Sequence, residues 1–175
     1  MEQKASVWQI GFKFGLITSI VLIIFSLILN VTELSFDPNI GGSLQYLSYL
    51  FLIIGMIFAH KAYKERNDGF MKYGTGLGLG TIVALLSGVL GAVFFFVYVS
   101  YVDTEYIAKA LELGRLQMEK KGLDDDVVDQ AIEMQAKFMT PTVMSGMAAV
   151  FTLIGGFILS LLVTIFTKKN RPDFE

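Results

Sequence analysis

The composition of this 175-residue chain points to a single membrane domain. It is 54% hydrophobic and 17% charged, whereas soluble domains carry about 45–50% apolar and about 25% charged residues. The net charge of −2 gives no indication of a nucleic-acid partner. The lack of cysteine excludes disulfides and thiolate metal sites, and a single histidine excludes a conventional multi-histidine site. We therefore expect an integral membrane protein with no catalytic centre, cofactor or metal.

Four apolar segments predict four transmembrane helices. Each has about the 20 mostly apolar residues that cross a hydrocarbon core, with no charge at its centre. Lys4 and Lys13 precede the first segment as they would in a signal peptide, but no small-x-small cleavage site follows, so we expect a retained anchor. The predicted fold is an all-α membrane protein, one polytopic domain over residues 1–175, with spans at residues 14–31, 43–60, 73–101 and 140–167.

The basic residues predict the orientation of these spans. Cytoplasmic loops carry an excess of lysine and arginine, and the short loop between the first two spans has none. We expect both termini to face the cytoplasm. Nine of the fourteen basic residues then lie on that side, namely Lys4, Lys13, Lys61, Lys64, Arg66, Lys72, Lys168, Lys169 and Arg171.

The charged loop at residues 102–139 is predicted to be helical. Gly122 is a fitting helix stop, and Asp124 suits the N-cap of a second helix. Because this loop lies on the side opposite the termini, we expect an extracytoplasmic helical hairpin between the third and fourth spans.

Small residues recur at every fourth position in the third and fourth spans. In lipid, such stripes allow helix backbones to approach closely. We expect the two stripes to pack on each other within one chain; the alternative is that one stripe mediates homodimerisation or binds a partner's helix. The predicted packing residues are Gly76, Gly80, Ala84, Gly88 and Ala92 in the third span, and Ala148, Thr152, Gly156 and Ser160 in the fourth.

Ionisable groups that could act chemically are few. His60, at the end of the second span, is interpreted as a solvated interfacial histidine, with a proton relay as the alternative. Since no acid or histidine is predicted inside a span, ion-coupled transport is disfavoured. Four carboxylates near the ends of the outer loops form a possible outer acidic site: Glu33, Asp37, Asp103 and Glu105.

Three segments carry a family resemblance: residues 67–74 (NDGFMKYG), 99–103 (VSYVD) and 155–169 (GGFILSLLVTIFTKK). With the acidic insertion before the last span, they resemble the uncharacterised DUF4199 family of four-span membrane proteins of Bacteroidota. The resemblance implies an inner-membrane location and transfers no catalytic residue. Family members tend to be encoded near glycosyltransferases of the polyprenyl-phosphate type, which implies a helper role in envelope glycan or lipid metabolism.

Three functions follow as hypotheses. The first is a non-enzymatic accessory or scaffold protein that acts on a protein partner, or on a second copy, through helix packing and the hairpin. The alternative is a passive transporter that handles a lipid or polyprenyl carrier in a groove between the third and fourth spans. An enzyme would require the four outer carboxylates to converge in a pocket. Membrane lipid is an expected partner in every case, and nucleic acid is not.

Overall fold

The computed structural model describes residues 6–171, and these form six α-helices and no β-strand. A 3₁₀ turn, Leu34–Phe36, precedes α2, and a π-helical turn, Tyr98–Val102, continues α3. The prediction of an all-helical fold with four long apolar helices is confirmed. The helices are α1 Val7–Val31, α2 Gly41–Glu65, α3 Tyr73–Val97, α4 Tyr106–Lys120, α5 Asp125–Phe138 and α6 Pro141–Thr167.

The long helices extend beyond their apolar stretches because local capping sets their ends. Ser6 Oγ accepts a hydrogen bond from Gln9 N at 3.4 Å, so α1 begins well before residue 14 and includes Lys13. Thr140 Oγ1 accepts from Val143 N at 3.3 Å at the start of α6. Lys4 lies outside the described residues.

The four long helices form a bundle in which α3 contacts each of the other three. α1 runs parallel to α3: a Cβ built on Gly11 would lie 2.9 Å from Ile82 Cγ2, and one on Gly15 would lie 2.6 Å from Leu86 Cδ1. α2 and α6 run in the opposite direction. We call the end that carries the α2–α3 link (66–72) the basic end, and the end that carries α4 and α5 the hairpin end.

The outward surface of the bundle is apolar over its whole length. Large side chains such as Ile24, Val93 and Ile154 are more than half exposed. Trp8 lies near the basic end, while Tyr46 and Tyr101 are exposed at the hairpin end, as expected for aromatic residues at the two membrane interfaces. Soluble monomers rarely expose so large an apolar surface, and all four long helices are long and apolar enough to cross a membrane, which supports a membrane-spanning bundle.

The hairpin formed by α4 and α5 is held by its own packing and by an aromatic contact with the bundle. The chain reverses at Gly122, whose φ of 75° favours glycine. Val128 is fully buried, and Arg115 pairs with Asp129 at 2.6 Å. The ring of Tyr106 lies against the rings of Phe36 and Phe95, with centroid distances of 4.9 and 5.3 Å. These contacts fix the start of α4 at the mouth of the bundle; Phe36, Phe95 and Tyr106 are called the aromatic anchor below.

Candidate functional site

The small-residue stripes of α3 and α6 face each other, and at the basic end they close the space between the helices. A Cβ on Gly76 would lie 2.6 Å from Thr164 Cγ2, and one on Gly80 would lie 2.7 Å from Ser160 Cβ. Ser160 Oγ also donates a hydrogen bond to Leu77 O at 3.1 Å. In this half of the seam, backbones approach too closely to leave a groove.

Towards the hairpin end the same seam opens only beyond Gly88. Gly156 still packs on Ala84, and a Cβ on Gly88 would lie 3.1 Å from Ala149 O, so the two backbones remain close at this level. At the end of the stripes, Ala92 is half-buried and Ala148 is exposed. The stripe residues therefore make a tight seam from Gly76 to Gly88 and border open space only at the hairpin end, where Thr152 and Ala148 line it.

That space is a cavity of about 330 Å³ at the hairpin end, bounded by all four long helices. Its exposed lining residues Gln45, Tyr49 and Ala148 lie on α2 and α6, so it opens between these two helices. Within residues 6–171, every polar side chain that lines it is uncharged. These are Ser26, Asn30, Ser35, Gln45, Ser48, Tyr49, Ser87, Tyr106 and Thr152.

Ser87 is the most informative of these residues. Its side chain is 3% exposed, and its Oγ has no hydrogen-bond partner in the described part of the chain. Other hydroxyls in the spans, such as Thr18 and Thr81, bond to the carbonyl four residues earlier. A buried hydroxyl without a partner costs about 1–3 kcal/mol, so the cavity presents an unmet hydrogen-bonding group.

A second, apolar space adjoins this polar cavity. It is a groove of about 790 Å³ between α5 and the first turns of α6. Ala148 lines both the cavity and the groove, so the two meet at this residue. The larger side chains that line the groove are Met134, Phe138, Met139, Met144, Met147 and Phe151.

The four predicted outer carboxylates do not converge in a pocket. Glu33 and Asp103 meet, but at a cation: Lys109 Nζ lies 2.9 Å from Glu33 Oε1 and 3.7 Å from Asp103 Oδ2. Hydrogen bonding to Glu33 raises the pKa of Lys109 above its ordinary value. Asp37 instead accepts from backbone amides at the start of α2, and Glu105 is exposed at the start of α4. The arrangement is an ion-pair cluster beside the hairpin, without the enclosed acid pair that hydrolytic chemistry needs.

The aromatic anchor makes hairpin docking sensitive to high pH. Burial, and then the charge of Asp103, raise the pKa of Tyr106 above its ordinary value of about 10. Because the folded state holds this proton more tightly, the stabilisation is complete below pH 10 and is lost as pH rises through the higher folded pKa. Spectrophotometric titration of tyrosinate should show a component above pH 10 whose amplitude falls by one tyrosine in Tyr106→Phe; an unchanged amplitude would contradict the assignment.

His60 is not the solvated interfacial side chain predicted from the sequence. It is fully buried, and its ring nitrogens lie 2.7 Å from Thr167 Oγ1 and 2.8 Å from Gly76 O. Lys64 Nζ also donates to Thr167 O at 3.1 Å. These bonds tie α2 to α3 and α6 at the basic end. An ionisable side chain is therefore buried in the bundle, contrary to the prediction that none would be.

A protein-family model described as "Protein of unknown function (DUF4199)" matches residues 13–169. This match covers α1 from residue 13 onward, the other three long helices, the cavity, the groove and His60. No curated protein and no solved structure matches the chain.

Proposed function

Because the chain belongs to the DUF4199 family of unknown function, we propose its role from geometry: a non-enzymatic accessory membrane protein that holds one amphipathic lipid. The polar part of the lipid occupies the cavity, and its hydrocarbon chain leaves past Ala148 along the methionine-lined groove. The observation that carries this proposal is that a polar cavity and an apolar groove adjoin at Ala148. A molecule with a polar and an apolar end matches that pairing.

The composition of the groove supports this occupant. Methionine side chains are unbranched and polarisable, and they adapt to partners of irregular shape. Met144, Met147 and Phe151 lie within the first three turns of α6, roughly 15 Å along its axis. The groove therefore begins at the membrane boundary, where a lipid can enter from the bilayer.

The site differs from the groove between the third and fourth spans predicted from the sequence. Because α3 and α6 pack closely at the basic end, a lipid has no path along the full length of these two helices. The cavity lies instead at one end of the seam and draws on all four long helices, and the hairpin forms the outer wall of the groove. A holding or presenting role fits this one-ended site better than passage across the membrane.

The orientation we propose puts both termini in the cytoplasm of the inner membrane and the hairpin outside. Lys64, Lys168 and Lys169 lie at the basic end of the bundle, and they belong to the segments that the positive-inside rule assigns to the cytoplasm. The bound lipid then sits in the outer half of the bilayer. Envelope glycan or lipid metabolism is the setting that this placement favours.

Filling the junction tests the proposed function. Ala148→Trp places a large ring where cavity and groove meet, so we expect it to lower lipid retention at least about tenfold. Retention is measured by native mass spectrometry of protein released from lipid nanodiscs. Gly146→Trp is the matched control, because Gly146 lies on α6 with no atom of another side chain within 4 Å of a built Cβ. Equal retention by both variants would contradict the proposal.

A scaffold that acts on a protein partner or a second copy remains the alternative. The exposed acidic side of the hairpin, including Asp125 and Glu133, is the surface that favours it. Extraction of the tagged chain from its native membrane in mild detergent, followed by mass spectrometry of proteins and lipids together, separates the two. A stoichiometric partner protein without bound lipid would favour the scaffold.

A further inference from the structure

The polar cavity lacks the chemistry that binds an anionic headgroup. Phosphate sites in proteins use arginine or lysine side chains, or the amides at a helix N-terminus. Within the described residues, no charged side chain lines this cavity. The nearby Lys109 is already paired with Glu33 and Asp103.

The electrostatic surroundings also disfavour an anion at the start of α4. Tyr106 lines the cavity and is the first residue of that helix. Asp103 and Glu105 lie immediately before it. Their carboxylates offset the positive end of the helix dipole, so this helix terminus does not favour a bound phosphate.

The polar side chains that line the cavity are uncharged, and they form hydrogen bonds with uncharged partners. Asn30 is 6% exposed; its Oδ1 accepts from Ser35 Oγ at 3.0 Å, and its Nδ2 donates to Ser26 Oγ at 3.4 Å. The Ser87 hydroxyl, buried in the cavity wall, has no partner in the described part of the chain. At about 330 Å³, the cavity far exceeds the roughly 30 Å³ share of one water molecule.

We infer that the cavity selects an uncharged, hydroxyl-bearing headgroup, as in an acylglycerol or a neutral glycolipid, and discriminates against phosphorylated lipids. This inference rests on the proposed function and adds the class of lipid. Ser87 is a specificity residue: its Oγ bonds to a headgroup hydroxyl. Thr164 Oγ1 is also buried without a partner in the described part of the chain, but it lies in the closed half of the seam and not in this cavity.

The test compares two lipids with identical chains, dioleoylglycerol and dioleoylphosphatidate. The full chain is stripped of lipid in detergent, incubated with each, and its bound fraction is measured by native mass spectrometry. We expect dioleoylglycerol to bind at least about tenfold more tightly. Ser87→Ala should weaken dioleoylglycerol binding by about 3–10-fold, the usual range for one lost hydrogen bond.

The stability of the lipid-free variant distinguishes recognition from damage to the fold. Ser87→Ala breaks no bond within the described chain, so the Tm without lipid should stay the same or rise. Ser19→Ala is the matched control, because this buried hydroxyl bonds to Gly15 O at 2.6 Å outside the cavity. We expect it to leave the preference between the two lipids unchanged.

Three outcomes would overturn the inference. Equal or tighter binding of dioleoylphosphatidate would refute the headgroup class while leaving the proposed lipid site intact. Unchanged dioleoylglycerol affinity in Ser87→Ala would refute recognition by this hydroxyl. Failure of the unmodified chain to bind either lipid would refute the proposed function together with the inference.

Discussion

Gly80→Ala is expected to destabilise the bundle by about 1–3 kcal/mol, the usual cost of overpacking a closed core. The added methyl would lie 2.7 Å from Ser160 Cβ. Rotating the serine side chain moves its Oγ but not its Cβ, so α3 and α6 must separate. Their separation also weakens the bond from Ser160 Oγ to Leu77 O. Unfolding followed by circular dichroism in detergent measures the loss.

Two further variants show whether the contact with Ser160 causes this effect. Gly74→Ala is the control on the same helix, since a Cβ there meets no atom of another part of the chain within 4 Å. It should be neutral or slightly stabilising, because alanine is more favourable than glycine in the middle of a helix. Adding Ser160→Gly to Gly80→Ala should recover most of the lost stability. About 1 kcal/mol should remain lost, because the double variant lacks the hydrogen bond from the serine hydroxyl. If Gly80→Ala is as stable as Gly74→Ala, the closed seam is wrong.

His60→Ala is expected to lower the free energy of unfolding by about 2–4 kcal/mol. The loss combines the cavity left by a fully buried ring with two lost hydrogen bonds. The Gly76 carbonyl only accepts, so the nearby ring nitrogen, Nε2, carries a proton and donates to it. The other ring nitrogen pairs with the Thr167 hydroxyl. Removal of the ring therefore releases α2 from both α3 and α6.

The adjacent Lys61→Ala is the control for this effect. Lys61 is exposed on the same turn of α2, so its truncation should change the stability by less than about 0.5 kcal/mol. Thermal unfolding in the same detergent compares the two variants. Equal melting temperatures of the two variants would contradict this prediction, because the contacts of His60 would then contribute nothing measurable to stability.

The fold could be predicted from the sequence because few backbone structures are stable in lipid. A span must satisfy its backbone internally, so four apolar stretches of sufficient length mean four helices. Small residues at every fourth position have few uses in lipid except close packing. Gly76 and Gly80 indeed lie against Thr164 and Ser160. The helix α1 begins before the predicted span at residue 14, because the polar cap at Ser6 extends it beyond its apolar part.

His60 was misjudged because its partners are not the charged residues that sequence reasoning looks for. One is a carbonyl on a glycine, where the lack of a side chain leaves the backbone oxygen accessible to the ring. The other is Thr167, more than a hundred residues away. The available signal was positional: in an antiparallel bundle, the last turns of α2 and α6 and the first turn of α3 meet at one end.

The cavity could not be predicted because it depends on where α3 and α6 diverge. Polar residues such as Ser48, Ser87 and Thr152 are each unremarkable in their own spans. Only the packing brings them to one level of the bundle. The groove likewise depends on the position of α5, whose apolar residues Met134 and Phe138 face α6 across open space instead of packing on α4.

The most direct test of the lipid site is photocrosslinking in a reconstituted bilayer. The probe is dioleoylglycerol with a photoactivatable group on its glycerol, and peptide mass spectrometry maps the products on the full chain. The proposed site predicts adducts on the cavity-lining parts of α2 and α3, at Gln45, Ser48 and Ser87. Adducts confined to outward-facing residues such as Tyr46 and Tyr101, with none in the cavity, would contradict it.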